Sequence, residues 1–120
     1  KAPPARDVAG LLRSIDYSTT AALERAKQSA AEEQHGRLVA ALQAWHGRAA
    51  TAFLTAYRET IGDSALWPAD RHAADGILDF FLLEKALYEI EYELAHRPDW
   101  LRVPLAGAVR ILAPRNEEVT

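Results

Sequence analysis

Apolar side chains recur along this chain at intervals of three and four residues, the spacing that lines one face of an α-helix. The first such run covers residues 8–26, and Asp7 stands directly before it, where its carboxylate could cap the first turn. The pattern therefore predicts a first helix that begins at Asp7. The polar stretch 27–36 contains good helix formers but no apolar face, which predicts either the solvated end of this helix or a loop.

A second amphipathic run covers residues 38–57, with Trp45 on its apolar side, so we expect Trp45 in the core. Gly62 is expected to end this helix because glycine punctuates helical patterns. In the loop that follows, Leu66 and Trp67 are expected to pack back onto the core.

The stretch 77–100 is the segment around which the rest of the chain is organised, and it predicts a third helix. Asp70 is placed to cap this helix, Gly76 indicates close packing near its start, and Pro98 should end it. Five large apolar residues form a seam expected to face the core. They are Phe80, Leu83, Leu87, Ile90 and Leu94. The acidic residues of the same helix are expected to form mainly a solvated face. They are Asp79, Glu84, Glu89, Glu91 and Glu93.

A short last helix is predicted from Pro104, which suits a first helical turn, with Leu105, Val109 and Leu112 as its apolar side. Residues 116–120 should fray. No run alternates with the period of a β-strand. We therefore predict an all-α fold, a bundle of three long helices and a short C-terminal helix, in one domain covering residues 1–120.

Composition narrows the partners of such a bundle. The net charge of −3 without a basic run does not suit a phosphate backbone, so nucleic acid is not expected. Without a long apolar stretch, a membrane partner is not expected and we predict a cytoplasmic protein. The chain has no cysteine, and its four histidines lack metal-ligand spacing, so no metal site is expected. It also lacks methionine, even at position 1, from which we expect a piece of a longer protein.

Beside the apolar seam of the third helix lies a stripe that mixes aromatic rings and charge. Phe81, Glu84, Tyr88 and Tyr92 follow one another at steps of three and four residues, with Lys85 at the edge. Tyrosine rings can cover the apolar face of a sugar while hydroxyl and carboxylate groups bind its polar edge. The alternative is that both tyrosines pack half-buried between helices. Trp67 and Trp100 lie in connecting segments, where each ring is either a core plug or a pocket wall.

Three segments together resemble the C-terminal part of bacterial maltokinases, which occur alone or fused behind a trehalose synthase. They are RDVAGLLRSIDY at 6–17, FLLEKALYEIEYEL at 81–94 and RPDWLRVPL at 97–105. The resemblance covers nearly the whole chain and is weakest across 27–37.

Membership would imply a kinase-related fold that uses ATP and magnesium to convert maltose to maltose 1-phosphate in trehalose and glycogen metabolism. The His-Gly-Asp and Asp-Phe-Glu-Gly-Glu-like motifs of such kinases are absent from this sequence and are expected before Lys1. The resemblance therefore implies no cofactor and no catalytic residue in this chain, which alone should not turn over ATP. Its helices correspond to the helical part of the C-terminal lobe, on the acceptor-sugar side of the cleft. The sugar-facing residues carried over are Glu84, Lys85, Tyr88, Tyr92 and, more weakly, Trp100. Asp7 and Arg13 would belong to the packing beneath the metal loop.

Two other functions stay open on the sequence. The chain could be an independent helical module whose acidic, aromatic face binds a protein partner, or a structural cap on a larger enzyme such as a trehalose synthase fusion. A piece separated from the rest of its parent kinase is expected to expose an apolar face and to self-associate through it.

Overall fold

A computed structural model describes residues 3–114, which fold into α-helices and short 3₁₀ turns without a strand among them, confirming the predicted all-α fold. Three helices are long and the C-terminal one is short, as predicted. The four helices are α1 (Pro4–Ser29), α2 (His35–Ile61), α3 (Arg71–His96) and α4 (Arg102–Leu112). The expected fraying of 116–120 lies outside the described residues.

Helix α1 is the centre of the bundle, since it packs against each of the other three helices. Its contacts with α3 advance along both helices together, so α1 and α3 run parallel. Contacts with α2 and α4 advance in opposite senses, so these two helices run antiparallel to α1. Of the described helices, none combines the length and apolarity needed to cross a membrane.

The start of α1 differs from the prediction that Asp7 caps it. The helix begins three residues earlier, at Pro4, and its N-cap is Pro3, which makes no side-chain cap hydrogen bond. Proline is well suited to this position because its fixed φ matches the helix and its missing N–H would have no partner there. Asp7 lies within the first turn, where its negative charge favours the helix N-terminus.

The polar stretch 27–36 contains the end of α1, a 3₁₀ turn at Glu32–Gln34 and the start of α2. The ring Nε2 of His35 lies 3.1 Å from the carbonyl oxygen of Lys27 and 3.3 Å from that of Ala30. This histidine thus supplies a partner for carbonyls that the end of α1 leaves open. The two alternatives predicted for this stretch were the end of the first helix and a loop. The first is correct up to Ser29, where α1 ends.

The other helix ends were predicted correctly from local sequence signals. Gly62 terminates α2 at a positive φ of 52°, a region that favours glycine. The Asp70 carboxylate accepts a hydrogen bond of 2.8 Å from the Ala73 amide and caps α3. Helix α3 ends at His96, before Pro98, and Pro104 lies in the first turn of α4.

The main apolar core lies where the start of α1, the end of α2 and the start of α3 meet. Trp67 is buried there, as predicted, with its ring 5.3 Å from that of Tyr57. Leu66 was expected beside it but is 65% exposed. Trp45 was also expected in the core and is exposed on α2. The buried cluster consists of Ala5, Val8, Ala9, Trp67, Ala74 and Leu78.

The predicted core face of α3 is wrong. Phe80, Leu87 and Leu94 of the seam are exposed, while Leu83 and Ile90 are half-buried. The face that enters the bundle instead carries two alanines, one leucine and two carboxylates, namely Ala74, Ala86, Leu78, Glu89 and Glu93. The expectation of a solvated acidic face is therefore wrong for Glu89 and Glu93. Close packing at Gly76 is also wrong, because a Cβ placed there would meet nothing within 4 Å.

The apolar side predicted for α4 is likewise exposed. Leu105, Val109 and Leu112 face outward, whereas α4 buries Val103, Pro104, Gly107 and Ala108. Small residues let α4 approach α1 closely. A Cβ placed at Gly107 would lie 2.8 Å from Cζ of Arg13, so a larger residue there would force the Arg13 guanidinium to move.

Candidate functional site

A groove runs between the parallel helices α1 and α3. It consists of one cavity of about 440 Å³ and a neighbouring one of about 570 Å³ that share Gly10, Lys85 and Tyr88 in their walls. Residues at single-turn steps on a helix face the same side, and α1 contributes Ser14, Tyr17 and Ser18 to the wall of the 440 Å³ cavity. We refer to these joined cavities as the α1–α3 groove.

The sequence-predicted residues of α3 all line this groove. Lys85, Tyr88 and Tyr92 line the first cavity, and Glu84 lines the second. Tyr88 is 59% exposed, and the Lys85 ammonium lies 5.0 Å from the centre of its ring. Glu84 lies 4.0 Å from Nε of Arg6, in an ion pair open to solvent. The stripe is therefore an accessible surface and not a packed contact between helices.

Trp100 does not line the groove itself. Its ring lies 6.0 Å from that of Tyr17 at an interplanar angle of 10°, so the two rings are stacked. The Arg97 guanidinium lies 5.0 Å from the Trp100 ring centre. Trp100 thus supports a wall residue, Tyr17, and is placed to act through it.

Beneath the groove, charged side chains cross between the helices in buried pairs. Arg13 is only 3% exposed, and its Nε donates to Oε1 of Glu89 at 2.8 Å, with Nη2 3.4 Å from Oε2. Arg13 is thus buried as half of an ion pair, and its place beneath the metal loop of a kinase stays a prediction. Such a pair is stable only when both charges stay matched.

This ion pair is part of a network that reaches all four helices. Asp16 of α1 accepts hydrogen bonds from Nη1 of Arg13, from Nε2 of His46 on α2 and from Nη2 of Arg110 on α4. Together with Glu89 on α3, these residues place charge at the centre of the bundle. The network fixes the floor on which the α1–α3 groove lies.

A second ion pair, between the buried carboxylate of Glu93 and the exposed side chain of Arg97, lies at one end of the groove. Oε1 of Glu93 accepts from Nε and Nη2 of Arg97 at 3.1 and 3.0 Å. Its other oxygen, Oε2, is buried and has no hydrogen-bond partner among the described residues. An unused buried acceptor costs free energy unless a donor reaches it.

The buried carboxylates affect the pKa of the neighbouring Tyr17 phenol. Burial, reinforced by the negative charges of Glu89 and Glu93 and by a hydrogen bond to Glu89, raises the pKa of Tyr17 to about 12. Because phenolate is disfavoured there, Tyr17 stays protonated at neutral pH and donates its hydrogen to Glu89. The groove therefore presents neutral hydroxyl groups above matched charges.

The residues of the network were not predicted from sequence, although a signal exists. Arg13 continues the four-residue steps of Ala5 and Ala9, which are both buried. Glu89 and Glu93 follow Ala86 at steps of three and four on the same face of α3. Charged residues in register with alanines indicate a buried polar face when the large residues of the helix lie elsewhere.

No protein-family model matches the chain.

Proposed function

We propose that this chain is the C-terminal helical part of a maltokinase-like enzyme and that the α1–α3 groove receives the acceptor sugar. The observation that carries the proposal is the meeting of Tyr88 and Tyr92 with Ser14, Tyr17 and Ser18 of α1 in one groove. The sequence stripe alone supplied only one wall. Two walls with rings and hydroxyl groups suit a neutral polyhydroxy ligand.

The charges of the groove favour a neutral ligand over an anion. Arg13 and Arg97 are each engaged by a carboxylate, so neither guanidinium is available as a simple phosphate clamp. The unpartnered Oε2 of Glu93 is an acceptor that a sugar hydroxyl can satisfy by donating to it. Lys85, above the Tyr88 ring, can donate to a ring or glycosidic oxygen.

The carboxylates of the groove do not suit the magnesium ion that the resemblance implies for the parent enzyme, because Glu89 is held by Arg13 and Glu93 by Arg97. We therefore assign to this chain only the positioning of the sugar, which is a large part of what a protein contributes to phosphoryl transfer. Its partners in the proposal are maltose or a related sugar and the remainder of the parent kinase.

Maltose titration tests the groove directly. Two-dimensional NMR of the 120-residue chain should show shifts at groove residues, and Tyr88→Ala should weaken maltose binding at least tenfold because one ring face is lost, equivalent to about 1.4 kcal/mol. Phe80→Ala is the matched control, since Phe80 is an exposed aromatic residue of the same helix outside the groove. In the intact parent enzyme, Tyr88→Ala should raise the maltose KM by the same factor. Equal binding by wild type and Tyr88→Ala would refute the assignment.

A second candidate is a protein-binding module that uses the same aromatic face. It is favoured by the exposure of Tyr88 and Tyr92, since half-exposed tyrosines beside cations are typical of binding hot spots. A chain that shows no shifts with maltose while Tyr88→Ala abolishes binding to a protein would favour this candidate.

A further inference from the structure

Glu93 leaves one hydrogen-bond acceptor unused at the end of the α1–α3 groove. The residue is 1% exposed, and it lines the 440 Å³ cavity together with Tyr17 and Tyr92. Its Oε1 accepts from both Nε and Nη2 of Arg97, at 3.1 and 3.0 Å. Arginine and carboxylate frequently pair through two parallel hydrogen bonds, one to each oxygen. Here both bonds reach the same oxygen, and Oε2 is left without a donor among the described residues.

The neighbouring donors of the cavity wall are already engaged. Burial, followed by the charges of Glu89 and Glu93, raises the pKa of Tyr17, so the Glu93 carboxylate lies near this phenol. The phenol has a single hydrogen, however, and it donates that hydrogen to Glu89. Each nitrogen of the Arg13 guanidinium likewise donates to Glu89 or to Asp16. A buried acceptor left in this state costs free energy, which a donor brought by a ligand would recover.

A neutral hydroxyl group is the donor that suits this end of the groove. The charge of Glu93 is balanced by Arg97, so the carboxylate does not require a second cation. Lys85 lies in the wall of the same cavity and would repel an ammonium group. A hydroxyl group supplies a hydrogen without adding a charge. An ether, a fluorine or a hydrogen in its place would leave Oε2 unpaired.

We propose that Glu93 is a specificity-determining residue of the groove, and that its Oε2 accepts the hydrogen of one sugar hydroxyl. This inference rests on the proposed sugar site. A site built to hydrogen-bond a hydroxyl strongly rejects an analogue that lacks it, because the buried group is then left unpaired. The rings of Tyr88 and Tyr92 can cover the apolar face of any sugar, whereas Glu93 selects the sugars that present a donor at this position.

The pairing with Arg97 determines what Glu93→Gln would do. The amide oxygen has to replace Oε1, because only an oxygen can accept from the two N–H groups of Arg97. The amide NH₂ group then replaces Oε2, so the free position changes from an acceptor to a donor. A sugar hydroxyl can satisfy either group, since it donates and accepts. Fluorine only accepts, so it is disfavoured against Glu93 and tolerated against the glutamine amide.

Maltose analogues in which fluorine replaces one hydroxyl at a time test this proposal by NMR titration of the 120-residue chain. In wild type, fluorine at one position should raise the dissociation constant at least about tenfold relative to maltose. In Glu93→Gln, the ratio of these two dissociation constants should fall below about threefold. Glu91→Gln is the matched control and should keep the wild-type ratio, since Glu91 is an exposed carboxylate of α3 that lines neither cavity. Circular dichroism spectra confirm that both variants are folded.

The outcomes distinguish this inference from the proposed sugar site. A wild type that binds maltose but loses less than tenfold with every fluorinated analogue would overturn the inference alone, and that comparison needs no variant. A ratio in Glu93→Gln equal to that of wild type would show that another residue accepts the hydroxyl, and would also overturn it. If wild type does not bind maltose, the sugar site is refuted and this inference with it.

Discussion

Arg13 is the residue whose removal should damage this fold most. Its guanidinium is buried, and it donates to Glu89 of α3 and to Asp16 of its own helix. Arg13→Met keeps most of the side-chain volume but leaves the Glu89 carboxylate, itself only 8% exposed, without its cation. Breaking a buried ion pair in this way costs roughly 3–5 kcal/mol. Total stability of a domain is about 5–15 kcal/mol, so the loss amounts to between about a fifth and all of it.

Urea unfolding followed by far-UV circular dichroism measures this loss, since all of the ordered structure described is helical or turn. Glu84→Gln is the control on α3, the helix of Glu89, because the Glu84 pair with Arg6 is solvent-exposed at 4.0 Å and should contribute under about 0.5 kcal/mol. The double variant Arg13→Met/Glu89→Leu should regain most of the lost stability, since neither charge is then stranded. An Arg13→Met cost below about 1 kcal/mol would refute the reasoning, as would a double variant no more stable than Arg13→Met.

Three further measurements probe single contacts. Gly107→Ala should destabilise the fold by about 1–3 kcal/mol, because the new Cβ would lie 2.8 Å from Cζ of Arg13, a side chain that ion pairs hold in place. Gly47→Ala is the control, since a Cβ there meets nothing within 4 Å and should stabilise α2 by up to about 1 kcal/mol. Equal effects of the two variants on the unfolding free energy would contradict the contact. The pKa of Tyr17 is raised from 10 to about 12 in the folded protein. The protonated phenol therefore stabilises the fold fully below pH 10, and this stabilisation is lost as pH rises towards 12. The urea-unfolding free energy should therefore fall more steeply over that interval in wild type than in Tyr17→Phe, and parallel curves would exclude the shift. Asp70→Ala should cost about 1 kcal/mol by removing the N-cap of α3, unlike Asp70→Asn, which keeps an acceptor.

The helices and most of their ends could be predicted from sequence because their signals are local. Gly62 reaches a positive φ that other residues avoid, Asp70 accepts from an amide three residues on, and Pro98 cannot continue a helix. Each signal acts within one turn and needs no knowledge of the neighbouring helices. The start of α1 was missed because two plausible signals, Pro4 and Asp7, lie three residues apart and the proline determines the end.

The faces of the helices could not be predicted in the same way. Periodicity reports that α3 has a row of large apolar residues, but it does not report which side its neighbours cover. In α3 the large row of Leu87 is outside, and Ala86 and Glu89 are inside. For the same reason only one wall of the groove could be predicted. The α3 wall with Tyr88 follows from local spacing, whereas Tyr17 of α1 lies opposite it only because α1 and α3 run parallel.

The orientation of α3 about its own axis is a choice between two faces, and burial of apolar area alone would favour the other one. Turning α3 by about half a turn would bury Leu87 and its row and expose Glu89. The ion pair between Arg13 and Glu89 opposes that rotation, because Arg13 would then be buried without its principal partner. We infer that this pair selects the orientation that presents Tyr88 and Tyr92 to α1 and so creates the groove.

If the ion pair orients α3, the double variant Arg13→Met/Glu89→Leu should separate the stability of the fold from the orientation of α3. With both charges gone, the variant should recover stability but lose the constraint on α3, so the maltose binding that we propose for the groove should weaken even though neither substitution removes a ring of the groove. Near-UV circular dichroism should lose intensity as the aromatic contacts, such as Tyr17 on Trp100, become less uniform. A double variant that is stable, keeps its near-UV spectrum and behaves as wild type in the maltose titration would show that packing alone orients α3. The buried charges would then be dispensable for the groove.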